Sequence, residues 1–302
     1  MLPDFPEFKP IVLEDRDSLE NFFARKPARI SEFTFANLFA WRRIDNYQAA
    51  LYRDGVLFLK EFRGRFSMLP FGLEADAAPV VEEISAWFRS RGRPLLLESV
   101  DEKLAAQISG VPGIAVREDR DNFDYVYLAQ ELIDLKGEKF HDKKNLLNQF
   151  LRNHPGYQYR PLTAELVEKA VRFEHRWCEE RDCEKVEGLS HEKCAVFQLL
   201  ENFSALKTSG GMIEVDGRVV ALTLGEPLNE ETFVIHVEKA QGKIPGLYQA
   251  INRDFLANRA AGFKYVNREQ DLGVPGLRKA KLSYNPAEMI KKYRVEENGG
   301  TG

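Results

Sequence analysis

MIEVDGRVVALTLGEPLNEETFVIHVEKAQGKIPGLYQAINRDFLANRAAGFKYVN (residues 212–267) decides the fold. Asp216-Gly217 separates Met212–Val215 from Arg218–Gly225. Asp-Gly between two β-rich runs predicts a two-residue hairpin, because both central positions of that turn need positive φ. Thr232–Glu238 (TFVIHVE) predicts a third strand after Pro227. Residues 247–261 then put Leu247, Ile251, Phe255 and Leu256 on one face of a helix, which Gly262 stops. Phe263–Asn267 closes the unit as another strand.

The same order occurs earlier in the chain. Gln48–Arg53 and Val56–Phe62 flank Asp54-Gly55, which reads as the same kind of turn, and Phe66–Phe71 follows. Val80, Val81, Ile84, Trp87 and Phe88 give residues 77–90 a helical period, Gly92 ends it, and Pro94–Val100 reads as a buried strand. A short helix over Glu102–Ile108 comes next. Hairpin, strand, helix, strand, met twice, predicts an internal duplication with two mixed sheets flanked by helices. Two unrelated α+β modules would also give this order. The Pro112-Gly113 turn and the charged stretch Arg117–Asp121 place a boundary near residue 120, with Tyr125–Leu128 opening the second half. The expected domains are residues 1–120 and 121–296, followed by a disordered tail at 297–302.

Composition bounds the rest. The chain has 302 residues, 44% hydrophobic and 30% charged, enough to build a core and to exclude disorder or coiled coil as a global reading. Three Cys are too few and odd in number for a disulfide scaffold, so a reducing cytoplasm is expected. No apolar run reaches membrane-spanning length, and Asp4 and Glu7 leave MLPDFPEFKP no signal-peptide core. His175, Cys178, Cys183, His191 and Cys194 lack paired metal-binding knuckles, and residues 165–181 read as helix, so no metal site is expected. None of the five His sits in a nucleophile-elbow pattern.

The net charge of −4 is unevenly spread. Residues 136–160 hold six cations against two carboxylates, and residues 264–294 hold eight against three, in an otherwise acidic chain. Such segregation fits a phosphate-bearing ligand, although solvated faces produce it too. In the first segment, Lys144, Asn148 and Arg152 share a helix row, with Lys143 nearer its start. In the second, Arg268, Glu269 and Asp271 leave a strand end together, ahead of Gly273 and Gly276. They read either as a structural ion-pair network or as a substrate-gripping loop, with Glu269 or Asp271 as base. The turn Gln241–Gly246 joins a strand to a helix N-terminus, where Gly242 and Gly246 would let an anion approach the backbone. If both basic segments serve one anion, they must meet in a cleft opposite that turn.

DYVYLAQELIDLKGEKFHDKKNLLNQF (124–150) and FKYVNREQDLGVPGLRKAKLSYNP (263–286) resemble the soluble C-terminal domain of phosphatidylglycerol lysyltransferases and its bacterial relatives. That resemblance implies a tandem acetyltransferase-like (GNAT) fold, shared with Fem-type transferases, which move an aminoacyl group from charged tRNA to an amine or lipid hydroxyl. Single-domain relatives move acetyl from coenzyme A. By position, Lys143, Lys144 and Asn145 match the basic helix start. Asn267, Arg268, Glu269, Asp271, Gly276, Arg278 and Lys281 match the strand-end loop. Gln241, Gly242 and Gly246 lie where single GNAT domains cradle pyrophosphate, although QGKIPG matches that pattern only approximately. The expectation is a soluble acyl or aminoacyl transferase using aminoacyl-tRNA or acyl-CoA. The alternative is a non-catalytic tandem GNAT that binds a nucleotide-containing ligand or tRNA.

Overall fold

The computed structural model describes residues 1–74 and 76–298. They form two compact units, one spanning Met1–Phe123 with the C-terminal stretch from Ile290, the other Asp124–Met289. The first unit holds β1 (Lys9–Pro10), α1 (Arg16–Arg25), α2 (Phe35–Trp41), β2 (Gln48–Tyr52), β3 (Gly55–Phe62), β4 (Arg65–Phe71), α3 (Ala77–Ser90), β5 (Leu96–Val100), α4 (Glu102–Ile108) and β6 (Ile114–Glu118). The second holds β7 (Asp124–Leu128), α5 (Ala129–Asp134), α6 (His141–Asn153), β8 (Gln158–Pro161), α7 (Val167–Glu180), α8 (Glu187–Glu201), α9 (Phe203–Leu206), β9 (Ser209–Val215), β10 (Arg218–Pro227), β11 (Thr232–Ala240), α10 (Leu247–Arg259), β12 (Tyr265–Asn267), α11 (Pro275–Leu282) and β13 (Glu288–Ile290). The last strand, β14, is Tyr293–Glu297.

Among the described residues, one sheet runs β1-β2-β3-β4-β5-β14-β6 and the other β8-β9-β10-β11-β12-β7-β13. In each, a three-strand antiparallel meander leads through one helix to a parallel neighbour, β4 to β5 and β11 to β12. The next strand is antiparallel: β14 beside β5, and β7 beside β12. The shared order supports duplication over unrelated modules, and the two sheets have exchanged one strand. In an unexchanged pair, β7 would follow β6 within the first sheet and β14 would follow β13 within the second. The second unit therefore ends at Met289, not at 296, because β14 pairs on both sides with strands of the first. The boundary expected near 120 falls after Phe123. Of the tail expected at 297–302, Glu297 is in β14 and residues from 299 on lie outside the described residues.

The turn at Asp216-Gly217 has positive φ at both positions, 49° and 74°, as its sequence dictates. The turn before β3 differs. Arg53 carries the positive φ, and Gly55 already pairs with Tyr52. Glycine is needed at 55 for room, since a Cβ there would strike the Phe71 carbonyl and the Leu73 side chain. The second core centres on α10, where Leu247, Ala250, Ile251, Phe255 and Leu256 are fully buried. At about 1.5–3 kcal/mol for each large apolar side chain, that face fixes the helix against the sheet. The first core packs α3, through Val80, Val81, Ile84 and Phe88, against Leu57, Met68 and Leu97 of its own sheet.

Candidate functional site

β12 ends at Asn267, whereas β11 continues to Ala240 beyond its last pair with β12 at Val234. The two parallel strands part there. His236 and Glu238 stand on the β11 side, and Arg268 to Asp271 leave on the loop. Asn267 shapes that departure: it is fully buried, donates to Asp124 Oδ2 at 3.0 Å and accepts from the Glu269 backbone N–H at 2.8 Å. Glu269 itself has φ +56°.

Arg268 is the centre of the cluster. Its backbone N–H donates to Tyr125 O at 2.9 Å. Its Nη2 donates to Glu238 Oε1 at 2.7 Å, and Glu238 Oε2 accepts from Asn252 at 2.6 Å. The guanidinium lies 4.8 Å from the Tyr284 ring and 5.7 Å from the Tyr127 ring. Its Nη1 is buried and has no hydrogen-bond partner. Burial opposes the charge, but Glu238 outweighs it and holds the guanidinium above its ordinary pKa. Lys143 brings its Nζ to 4.6 Å over the same Tyr284 ring. Burial and the Arg268 charge both push Lys143 down. Lys281 donates to the carbonyls of Arg268 and, at 3.1 Å, Glu269; burial lowers its pKa to about 8. Lys143 from the first basic segment thus joins Arg268 and Lys281 from the second.

Other expected residues do not join them. Lys144, Asn145 and Arg152 are exposed on α6. Lys291, Lys292 and Arg294 belong to the first unit, where fully buried Lys292 meets Glu32 at 2.5 Å. Asp271 is unsuited to act as a base. It is fully buried, takes a two-pronged contact from Arg278 (2.9 and 2.8 Å), and accepts from Tyr125 Oη at 2.6 Å and Gly273 N–H at 2.9 Å. These bonds outweigh burial and hold it far below the usual carboxylate range. Asp271 and Arg278 therefore form the structural pair that sequence left open. Gly276 lies in the first turn of α11 with open space around it.

The turn expected to cradle pyrophosphate, Gln241–Gly246, is closely packed at its last residue. Gly246, at φ +81°, caps α10, and a Cβ there would clash with the Leu146 carbonyl and the Phe150 Cβ of α6. Gln241 donates to Glu180 at 3.3 Å, and Gly242 faces the Arg181 guanidinium.

Sequence reading missed His236. Its Nδ1 is 2.7 Å from Glu269 Oε1 and its Nε2 is 2.9 Å from Glu226 Oε1, with the imidazole almost wholly buried. Burial opposes its charge, but the two carboxylates outweigh that and push its pKa up to about 10. Burial in turn raises Glu269 above the ordinary carboxylate value. The signal was present in TFVIHVE, where two titratable residues at period 2 interrupt an apolar strand. The buried pair Lys239–Glu174, at 2.7 Å, left a similar trace. Cys178, Cys183 and Cys194 are free thiols.

Each unit is a mixed sheet flanked by helices, and in the second a cationic, carboxylate-bearing cluster stands where two parallel strands part. The chain belongs to the family described as phosphatidylglycerol lysyltransferase, C-terminal, whose model matches residues 23–296. A conserved protein of unknown function from Bacteroides thetaiotaomicron is 35% identical, with TM-score 0.90, covering 98% of this chain and 100% of that one. The C-terminal domain assigned to a lysylphosphatidylglycerol synthetase of Agrobacterium fabrum shares the fold at TM-score 0.67 and 14% identity, covering 95% and 92% of the two chains. An uncharacterised protein of Mycoplasmoides gallisepticum is 22% identical over 275 residues, 83% of this chain and 87% of that protein. Among the described residues, no helix is long and apolar enough to cross a membrane.

Proposed function

We propose that this chain transfers an aminoacyl group from an aminoacyl ester carried on tRNA to an amine or hydroxyl acceptor, at the place where β11 and β12 part. The observation that carries the reading is the unpartnered, buried Nη1 of Arg268 beside Lys143. An unmet donor in low dielectric is unfavourable, and an anionic or carbonyl oxygen of the donor would satisfy it. The close packing of α6 against Gly246 crowds one end of the turn where acyl-CoA pyrophosphate would bind, and this supports tRNA over acyl-CoA as donor.

In this reading the acceptor attacks the ester carbonyl directly. Glu269 takes the acceptor proton and returns it to the ribose oxygen as the ester C–O bond breaks, so the ribose leaves as the hydroxyl. His236 acts as a positioning residue that fixes Glu269 through a 2.7 Å contact. Arg268 and Lys143 bind the donor, and Lys281 orders the loop carbonyls. A turnover assay with labelled lysyl- and alanyl-tRNA, offered amine and lipid-hydroxyl acceptors, tests this. Glu269→Gln should lower kcat at least tenfold, and Arg268→Lys should chiefly raise KM. Tight binding of charged tRNA without turnover would instead make the chain a binding module. Turnover of acetyl-CoA would overturn the donor assignment.

A further inference from the structure

Glu226 takes no part in the transfer step, yet it stands directly behind the base. β10 pairs Leu224 with Val237 and then Gly225 with Ile235, so His236 is an extra residue on β11, unmatched across the ladder. A bulge of this kind re-aims the side chain it carries. Here the imidazole lies between Glu226 Oε1 at 2.9 Å and Glu269 Oε1 at 2.7 Å. A ring nitrogen that faces a carboxylate oxygen carries a proton, and both nitrogens do so here, which makes the ring an imidazolium. Two carboxylates therefore share one positive charge. Among the described residues, neither forms an ion pair with any other cation. The charges nearby cancel in pairs. Arg268 meets Glu238, and Lys281, which donates to the carbonyls of Arg268 and Glu269, is offset by Asp124, which accepts from Asn267. One negative charge is left over. It has an open side at Glu269, whose side chain is 22% exposed against 4% for His236.

We infer that the acceptor is a protonated primary amine held by Glu269, and that Glu226 is the positioning residue that leaves Glu269 its charge by neutralising His236. The inference rests on the transfer reading and narrows its acceptor from amine or hydroxyl to amine. Without Glu226, Glu269 and His236 would be a neutral pair, sufficient to orient a base for a hydroxyl. A second carboxylate in the same half-dry place repays its desolvation only when a cation arrives. His236 and Glu238 share one face of β11, two residues or about 6.6 Å apart. That spacing sets the donor oxygen at Arg268 beside the ammonium at Glu269. The ammonium gives one proton to Glu269, which passes it to water on its open side. The neutral amine then attacks. As the N–C bond forms and the ester C–O bond breaks, a second N–H proton reaches the ribose oxygen through Glu269, and the third stays on the amide nitrogen. One proton is released per transfer, whereas a hydroxyl acceptor would release none.

Titration of the full chain with n-butylammonium and, separately, with 1-butanol, followed by NMR at neutral pH, tests the site without turnover. n-Butylammonium should bind saturably and shift the signals of residues 267–271, and 1-butanol should not. Glu226→Gln should weaken that binding about fivefold or more, while Glu226→Asp, which keeps the charge, should stay within about threefold of the parent. With charged tRNA as donor, n-butylamine should accept and 1-butanol should not. Glu226→Gln should also move the acid limb of the kcat profile down by about one pH unit, which a merely structural role would leave in place. Equal binding of both probes, or n-butylammonium binding that folded Glu226→Gln retains, would overturn the inference. Turnover of 1-butanol alone would overturn it and leave the transfer reading standing. n-Butylammonium binding with no turnover of either acceptor would sink the transfer reading, and the acceptor role with it, leaving an amine-binding site. Competition of n-butylammonium with alanyl-tRNA but not with its N-acetylated form would give Glu269 to the donor's own ammonium and also overturn the inference.

Discussion

His236 gives a stability signature that can be worked out in advance. Its pKa in the folded protein is pushed up to about 10 from 6.5. The folded state holds that proton more tightly than the unfolded chain, so the stabilisation is complete below pH 6.5 and is lost as pH rises towards 10. Lys281 works the other way, because its folded value is lowered from 10.5 to about 8. Above pH 8 the folded protein has released a proton that the unfolded chain keeps, and part of the loss is recovered. Between pH 6.5 and 8 the His236 contribution should fall by about 2 kcal/mol, with Lys281 beginning to offset it near pH 8. The measurement is urea unfolding at both pH values for the parent and for His236→Gln, which keeps one donor and cannot titrate. Parent minus variant cancels the groups that do not touch the imidazole and reports the linked unit of His236 with Glu226 and Glu269. That difference should shrink by about 2 kcal/mol from pH 6.5 to 8. A difference that stays flat would mean that His236 is not held as an imidazolium between Glu226 and Glu269.

Three further outcomes are expected. Arg278→Ala takes the guanidinium from buried Asp271 and leaves it the Tyr125 hydroxyl and the Gly273 N–H, so denaturant unfolding should show a loss of about 3 kcal/mol, and near-parental stability would refute the anchoring role of that pair. Gly246→Ala forces a Cβ into the Leu146 carbonyl at positive φ and should cost about 3 kcal/mol or more in the same assay; a neutral result would mean α6 does not seat against α10 as described. Lys239→Met strands the fully buried Glu174 and should destabilise by about 3 kcal/mol, most of which should return when Glu174→Leu is added; failure of that rescue would argue against a paired buried charge.

Local pattern carried the repeated module. Asp216-Gly217, the apolar face of α10 and the run TFVIHVE each specify their element through turn chemistry or period, and the structure places all three as their residues dictate. The strand exchange was not legible. β7 and β14 are short, and nothing in DYVYL or YRVEE says which sheet each will join. That is settled by register against Tyr265–Asn267 and Leu96–Val100, far away in sequence. The site divided in the same way. Charge density pointed to Lys143, Arg268 and Lys281. The partners that decide each role, Glu238 for Arg268, His236 for Glu269 and Arg278 for Asp271, emerge only when the loop folds back. A glycine at a helix start reads the same whether it makes room for an anion or for another helix, and at Gly246 it is α6 that comes close.

The exchanged strand also sets an order of events during synthesis. When a ribosome has delivered residues 1–123, the strand that lies between β5 and β6 has not yet been made, since it is β14. The first sheet therefore waits, with the edge of β5 unpaired, until almost the entire remaining chain has emerged. The second sheet can close as soon as β13 is free. Although its other strands come earlier in the chain, the first sheet is the one that finishes last, and loss of Tyr293–Glu297 alone would undo it.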